Sequence, residues 1–199
     1  PSDIHLRVGC DEKGLISGFV FDGIFNTGAY ASWGPTVANR VPIHACGPYR
    51  TDHYRATSVA VHTNAPPAGA FRGFGVPQSA IAQECAYDLL ADEIGMDRLA
   101  FRRNNALKNG VPTVTGQVFK NGVGIDDCFA ALEQPWENAL SKAANFNEEA
   151  IANGSPWRSG VGIASCWYGC GNTSLPNPST MRMGITPNGE IVLHQGAMD

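Results

Sequence analysis

The sequence predicts an α+β fold of mixed strands and helices. Residues 4–10 and 15–24 show the apolar and polar alternation of strands, whereas residues 77–94 show the 3.6-residue apolar period of a helix. Of the 199 residues, 43% are hydrophobic and 16% are charged, which is enough for a sizeable core. We expect a fragment of a larger domain covering residues 1–199, in which the break at residues 154–156 separates sub-units 1–153 and 154–199.

The N-terminal elements form a predicted hairpin, then a helix and a further strand. The hairpin turn spans residues 11–14, where Gly14 supplies the positive φ that such a turn needs. Gly47 and Pro48 end the helix. The predicted elements are strands at 4–10 and 15–24, a helix at 37–45 and a strand at 54–63.

The helix at residues 77–94 has one apolar stripe and one polar face. Pro77 suits its first turn, and Gly95 suits its end. We expect the polar face to lie in solvent. The stripe consists of Ile81, Cys85, Ala86, Leu89, Leu90 and Ile94, and the polar face consists of Gln83, Glu84, Asp88 and Asp92.

The remaining elements follow from the same patterns. A helix beginning at Asp97 buries apolar residues and leaves three arginines, Arg98, Arg102 and Arg103, solvated or paired. Residues 125–151 are predicted to be helical with an interruption near Pro135. Strands are predicted at 161–167 and at 181–195, the latter around a turn at 186–189.

Charge and composition exclude several classes of protein. The net charge of -4 argues against a nucleic-acid partner, because binding to phosphates requires a basic face. The sequence contains no run of about 18 apolar residues, which a membrane-spanning helix would need, and residues 1–5 do not resemble a secretion signal. The six cysteines are scattered, as is typical of buried thiols in a reducing compartment. We expect a cytoplasmic location, with the periplasm as the alternative.

One stretch, residues 66–78, places an arginine and two aromatic rings among three glycines. Gly69, Gly73 and Gly75 lie between a predicted strand and a helix N-terminus, where backbone N–H groups can approach an anion. The alternative is an ordinary tight turn. Arg72 offers a planar fork for oxyanions beside a ring, and this favours a site for a planar anionic or aromatic ligand.

Other candidate residues are weaker. His44, His53 and His62 recur every nine residues, which matches no local metal motif, and a structural or surface role is expected for them. No Gly-x-Ser-x-Gly motif supports nucleophilic hydrolysis. Residues 166–173 are aromatic, glycine-rich and thiol-bearing, and they either line a pocket or cap the core.

Residues 70–78, AFRGFGVPQ, resemble the signature of the molybdenum hydroxylases, the xanthine dehydrogenase and aldehyde oxidase family. The resemblance extends over nearly the whole chain, including residues 26–30, 101–105 and 188–194. It implies part of the molybdopterin-binding domain of a catalytic subunit. Such an enzyme oxidises an N-heteroaromatic, xanthine-like substrate or an aldehyde, with water as the oxygen source.

The resemblance also implies roles for individual residues. Arg72, Phe71 and Gly73 are expected at the molybdopterin cofactor, with Arg72 near molybdenum. Phe74 and Arg40 are expected at the substrate, where Arg40 favours an N-heteroaromatic molecule. Thr173 corresponds to a further substrate-binding position if a gap is placed in the comparison. The catalytic base, a glutamate, is expected beyond residue 199, so the isolated chain is expected to be inactive.

Cofactors and partners follow from the same resemblance. The cofactor is the molybdenum–molybdopterin group, and iron–sulfur clusters and FAD are expected on partner domains or subunits. The protein is therefore expected to act within a hetero-oligomer or a larger chain. The alternative function is a non-catalytic α+β binding or scaffold domain with a glycine-rich, anion-binding loop.

Overall fold

The computed structural model describes residues 1–169 and 180–195. Over these ranges it contains five strands and four helices, which confirms the α+β class. The contacts divide the chain into two units, Pro1–Tyr168 and Gly169–Asp199. The first unit thus extends beyond residue 153, where the sequence suggested a boundary.

A three-stranded sheet is the centre of the first unit. Strands β1 (Ser2–Cys10) and β2 (Ile16–Gly28) pair antiparallel around a turn in which Gly14 has a φ of 76°, as predicted. Strand β3 (Tyr54–His62) pairs with β2 in parallel, so that β2 is central. Helix α1 (Gly34–His44) provides the crossover that a parallel pair requires, and it packs on β3.

The core lies on one face of this sheet. Phe19, Phe21 and Phe25 alternate along β2 and are buried, because successive strand residues point to opposite faces. Tyr87 and Phe101 pack against each other in the same core, with ring centroids 5.7 Å apart. The sheet face and the helices thus share one hydrophobic core.

Helix α2 (Val76–Glu93) has the predicted length, and Leu90 and Ile94 pack against the core as expected, but much of the predicted buried face was wrong. Ile81 and Leu89 are 70% and 71% exposed, and Cys85 between them is also exposed. Gln83 and Glu84, predicted to face solvent, are buried. Glu84 is buried because it pairs with a residue on the next helix, α3 (Arg98–Asn105).

That residue is Arg102, which is 0% exposed and forms an ion pair with Glu84 at 2.7 Å. Glu84 Oε1 also accepts hydrogen bonds from Tyr49 Oη (2.9 Å) and Gln83 Nε2 (2.6 Å). The Ser165 hydroxyl lies 2.6 Å from the Tyr49 hydroxyl. Burial acts to lower the pKa of Arg102, but the nearby Glu84, Tyr49 and Asp88 together outweigh it and the net pKa is raised. The buried charges are therefore paired and hydrogen-bonded, as burial demands.

Helix α4 (Ile125–Ala152) is continuous, so the predicted interruption near Pro135 was wrong. Trp136, the next residue, is buried, and its Nε1 donates to Asp97 Oδ2 at 2.8 Å. The burial of Phe129 and Trp136 stabilises the helix by more than the loss of one backbone hydrogen bond at Pro135 destabilises it. None of the helices among the described residues is long and apolar enough to cross a bilayer.

Residues 161–167 do not form the predicted strand. They have no regular secondary structure and pair with no strand among the described residues, and Val161 and Ile163 pack against the core instead. In the second unit, β4 (Arg182–Ile185) and β5 (Ile191–His194) form the predicted antiparallel hairpin. Its turn contains Gly189, which has a φ of 82°.

Candidate cofactor and substrate site

The glycine-rich stretch forms a tight loop between β3 and α2. Gly73, Phe74 and Gly75 have φ values of 91°, 43° and 99°, three consecutive left-handed residues. The Phe74 N–H donates to the Phe71 carbonyl at 2.8 Å, and the Val76 N–H donates to the Gly73 carbonyl at 2.9 Å. Glycine adopts this conformation readily, whereas Phe74 adopts it at a cost, as residues of functional loops often do.

Close packing at the loop also requires glycine. A Cβ on Gly75 would lie 2.8 Å from Val41 Cγ2 and 2.9 Å from the Val37 carbonyl oxygen. One on Gly73 would lie 2.9 Å from Pro77 Cδ. The loop therefore rests directly on α1, and its glycines are needed for both conformation and space.

The loop presents hydrogen-bond donors and positive charge. Among the residues that the structure describes, the Gly73 and Gly75 amides have no hydrogen-bond partner. They lie at the N-terminus of the 18-residue helix α2, which has no acidic residue in its first turn. Arg72 beside them is exposed. Gly75 is buried, whereas Gly73 is partly exposed. The Gly73 amide, the helix N-terminus and the Arg72 guanidinium together suit a ligand rich in anionic oxygen or sulfur.

Two aromatic rings of the loop have different environments. The Phe74 ring packs edge-on against Trp33, with centroids 6.3 Å apart and planes at 64°. Phe71 is 75% exposed. Trp33 immediately precedes α1 and was missed from the sequence, although its Trp-Gly-Pro context marks a fixed turn before a helix. Phe74 is thus held by a neighbouring ring, and Phe71 is available for contact.

Arg40 lies on the helix that supports the loop. It is flanked on α1 by Val37 and Val41, the two residues nearest to Gly75. Arg40 therefore belongs to the same helix on which the glycine-rich loop packs. The predicted site for a planar anionic or aromatic ligand at Arg72 and the neighbouring ring stays a prediction.

The segment at 166–168 covers the C-terminal half of α1. The Tyr168 ring stacks on His44, with centroids 5.3 Å apart and planes at 8°, and Trp167 meets His44 edge-on at 5.1 Å. The Arg40 Cζ atom lies 5.2 Å from the Tyr168 ring centroid. Burial lowers the pKa of His44, which keeps its imidazole neutral at neutral pH. Thr173 lies outside the described residues.

The histidines do not form a metal site. His44 is buried, whereas His53 and His62 are exposed. The part of the chain that the structure describes contains no group of three or more His, Cys, Asp or Glu side chains that could hold a metal ion. What the described site offers to a metal-bearing group is thus the Arg72 guanidinium and backbone amides.

Comparison with known families decides the assignment. The family model of the molybdopterin cofactor-binding domain matches residues 1–106, more than half of the chain. The chain belongs to this family. The match includes the glycine-rich loop and α1, so the resemblance to the molybdenum hydroxylases is confirmed.

Relatives of the molybdopterin cofactor-binding domain agree in sequence and fold. The nicotinate dehydrogenase large molybdopterin subunit of Eubacterium barkeri is 39% identical over 140 residues, 70% of this chain and 32% of the relative. The aldehyde oxidoreductase of Megalodesulfovibrio gigas is 30% identical over 197 residues, 98% of this chain and 20% of the relative. The chain thus spans about a fifth to a third of these relatives.

Solved structures show the same fold. The aldehyde oxidoreductase from Desulfovibrio desulfuricans matches with a TM-score of 0.80 at 23% identity, over 96% of this chain and 20% of that chain. The enzyme from Desulfovibrio gigas matches with a TM-score of 0.69 at 29% identity, over 72% of this chain and 16% of that chain. The fold is that of a molybdopterin-binding domain.

Proposed function

We propose that this chain is part of the catalytic subunit of a molybdenum-dependent hydroxylase, which oxidises an N-heteroaromatic, xanthine-like substrate or an aldehyde with oxygen from water. The observation that carries the proposal is the loop at residues 71–75. It places the exposed Arg72 and the partly exposed Gly73, whose amide has no hydrogen-bond partner among the described residues, beside a helix N-terminus within a molybdopterin cofactor-binding domain. Relatives named as nicotinate dehydrogenase, xanthine dehydrogenase and aldehyde oxidoreductase support oxidoreductase chemistry.

The residues of the loop hold the cofactor in this proposal. The bound molybdenum–molybdopterin group supplies the electron-transfer and oxygen-transfer chemistry. Arg72 compensates negative charge on the group, and Gly73 allows its amide to approach closely. Phe71 provides an exposed ring against the cofactor. These residues bind and orient, whereas the catalytic base is expected outside this chain.

Two further residues are proposed to contact the substrate. The Phe74 ring, held by Trp33, offers an apolar face on which a planar substrate stacks. Arg40 offers a cation for an anionic group of that substrate. This pair favours an anionic N-heteroaromatic compound over a neutral aldehyde, and a relative named for nicotinate supports that choice. Thr173 is kept as a proposed substrate contact.

The proposed enzyme requires further domains or subunits. Iron–sulfur clusters and FAD are expected there to receive the electrons. Two relatives are named as a "large molybdopterin subunit" and as subunit gamma of a dehydrogenase complex, which supports an assembly of several subunits. The cytoplasmic location stays a prediction.

The test replaces Arg72 in the complete enzyme. Arg72→Ala should lower both the molybdenum content, measured by mass spectrometry of the purified enzyme, and the hydroxylase activity by about tenfold or more. Phe74→Leu should retain molybdenum and raise the KM for the substrate. Arg55→Ala, an exposed arginine on β3, is the matched control and should change neither quantity.

Full molybdenum and full activity in the Arg72→Ala enzyme would contradict the proposal. A complete protein that binds anions but never molybdenum would favour the non-catalytic binding domain instead. The isolated chain should bind no molybdenum, and stoichiometric metal in that chain would overturn this expectation.

A further inference from the structure

One aromatic ring contacts two functional groups of α1. Arg40 and His44 lie one helical turn apart, and both contact the ring of Tyr168, at 5.2 Å and 5.3 Å respectively. Tyr168 is 48% exposed, so that part of its ring remains open to solvent. The Tyr168 ring therefore contacts two side chains, Arg40 and His44, that lie on the same side of the helix.

The Tyr168 ring stacks on the imidazole of His44, which restricts its position. The imidazole is buried, and its Nδ1 lies 3.2 Å from the Arg40 carbonyl oxygen, which ties the ring to the helix backbone. Trp167 contacts the same imidazole edge-on. The phenol ring therefore packs on an imidazole that is itself held to α1.

The Tyr168 ring in turn restricts the Arg40 guanidinium. An arginine side chain has many rotamers, and a partly exposed one loses this freedom only when a partner holds its head group. A guanidinium about 5 Å from the centre of a tyrosine ring is held by cation–π attraction.

We propose that Tyr168 is a positioning residue, which holds the Arg40 guanidinium for the anionic group of a planar substrate. It thereby sets the preference of the enzyme for anionic over neutral substrates. The inference rests on the proposed function, because it takes Arg40 to be a substrate contact. It gives Tyr168 a specific role, whereas the sequence pattern left residues 166–173 either to line a pocket or to cap the core.

The experiment compares nicotinate with nicotinamide in the complete enzyme, since the two have the same shape but differ in charge. Tyr168→Leu should raise the Kd for nicotinate, measured by calorimetry, and its KM about tenfold. The values for nicotinamide and the molybdenum content should stay within about twofold. Trp167→Leu is the matched control, since it removes a ring from His44 but not from Arg40, and it should leave the nicotinate preference unchanged.

A graded series isolates the electrostatic part of the contact. Phenylalanine and its fluorinated forms at position 168 keep the shape of the ring and reduce the negative charge on its face. Nicotinate affinity should fall stepwise with fluorination. This series tests the inference even if Tyr168→Leu does not fold. Equal affinities across the series would overturn it.

A double-mutant cycle separates this inference from the proposed function. If Tyr168 acts through Arg40, Tyr168→Leu should have no further effect on nicotinate binding in an Arg40→Ala enzyme. Independent, additive losses would overturn the positioning role while leaving Arg40 as a contact. Unchanged nicotinate affinity in Arg40→Ala, or a parent enzyme that does not bind nicotinate, would refute the substrate role of Arg40 and with it the inference.

Discussion

Replacing the buried Arg102 should destabilise the protein strongly. Its guanidinium forms ion pairs with Glu84 at 2.7 Å and Asp88 at 2.8 Å, and it donates to the Arg98 carbonyl at 3.0 Å. Arg102→Met preserves most of the apolar stem but leaves the Glu84 carboxylate buried without its cation.

The size of the effect follows from this burial. Removing one partner of a buried ion pair costs about 3–5 kcal/mol. With a urea dependence of about 2 kcal/mol per M, the unfolding midpoint should fall by roughly 2 M. Tryptophan fluorescence reports the transition, because Trp136 is buried in the same unit. Glu84→Leu combined with Arg102→Met should recover much of the loss, since no uncompensated charge remains at the pair.

Arg98→Met is the matched control for this measurement. Arg98 lies on the same helix and pairs with Asp92 at 2.6 Å, but the two side chains are 34% and 52% exposed, whereas that of Arg102 is 0% exposed. Its replacement should cost less than about 1 kcal/mol. Equal effects of Arg98→Met and Arg102→Met would refute the reasoning, because burial would then not govern the free energy of unfolding.

Three further changes have predicted outcomes. Gly75→Ala should lower the free energy of unfolding by roughly 1–3 kcal/mol in thermal or urea melts, because its φ is left-handed and the new Cβ would meet Val41; an unchanged melt would contradict this. Burial lowers the pKa of His44 below 6.5, so the unfolded state binds more protons and stability should fall as the pH drops through 6.5. His44→Gln should reduce that slope in a pH series of melts, and an unaltered slope would exclude His44 as its source. Pro135→Ala should stabilise the protein by up to about 3 kcal/mol, because it restores a helix donor; destabilisation would show that the ring is needed for packing.

The sequence predicted most elements because their signals are local. The turn at Gly14, the ends of α2 and the C-terminal hairpin all depend on nearby glycine, proline and alternating residues, and each is observed. The glycine-rich loop was located for the same reason. Its contacts with Val37 and Val41 were not predictable, because they depend on how α1 packs.

The errors concern long-range partners. Counting apolar residues assigned Glu84 to solvent, since nothing in α2 itself shows that Arg102, 18 residues later, is buried against it. Pro135 was taken to interrupt a helix that packing through Trp136 keeps continuous. Residues 161–167 have the composition of a strand but pair with no strand in the part of the chain that the structure describes. In each case tertiary contacts overrode a local pattern.

The parallel pairing of β2 with β3 sets an order in which the chain can acquire its structure. The β1–β2 hairpin is closed by a short turn and can form early during synthesis, whereas β3 must wait until α1 has emerged and crossed over. Since Gly75 rests on Val37 and Val41, the loop gains its shape only after that crossover has docked. Under the proposed function, the loop can therefore bind the cofactor only in a chain in which α1 has already docked on β3.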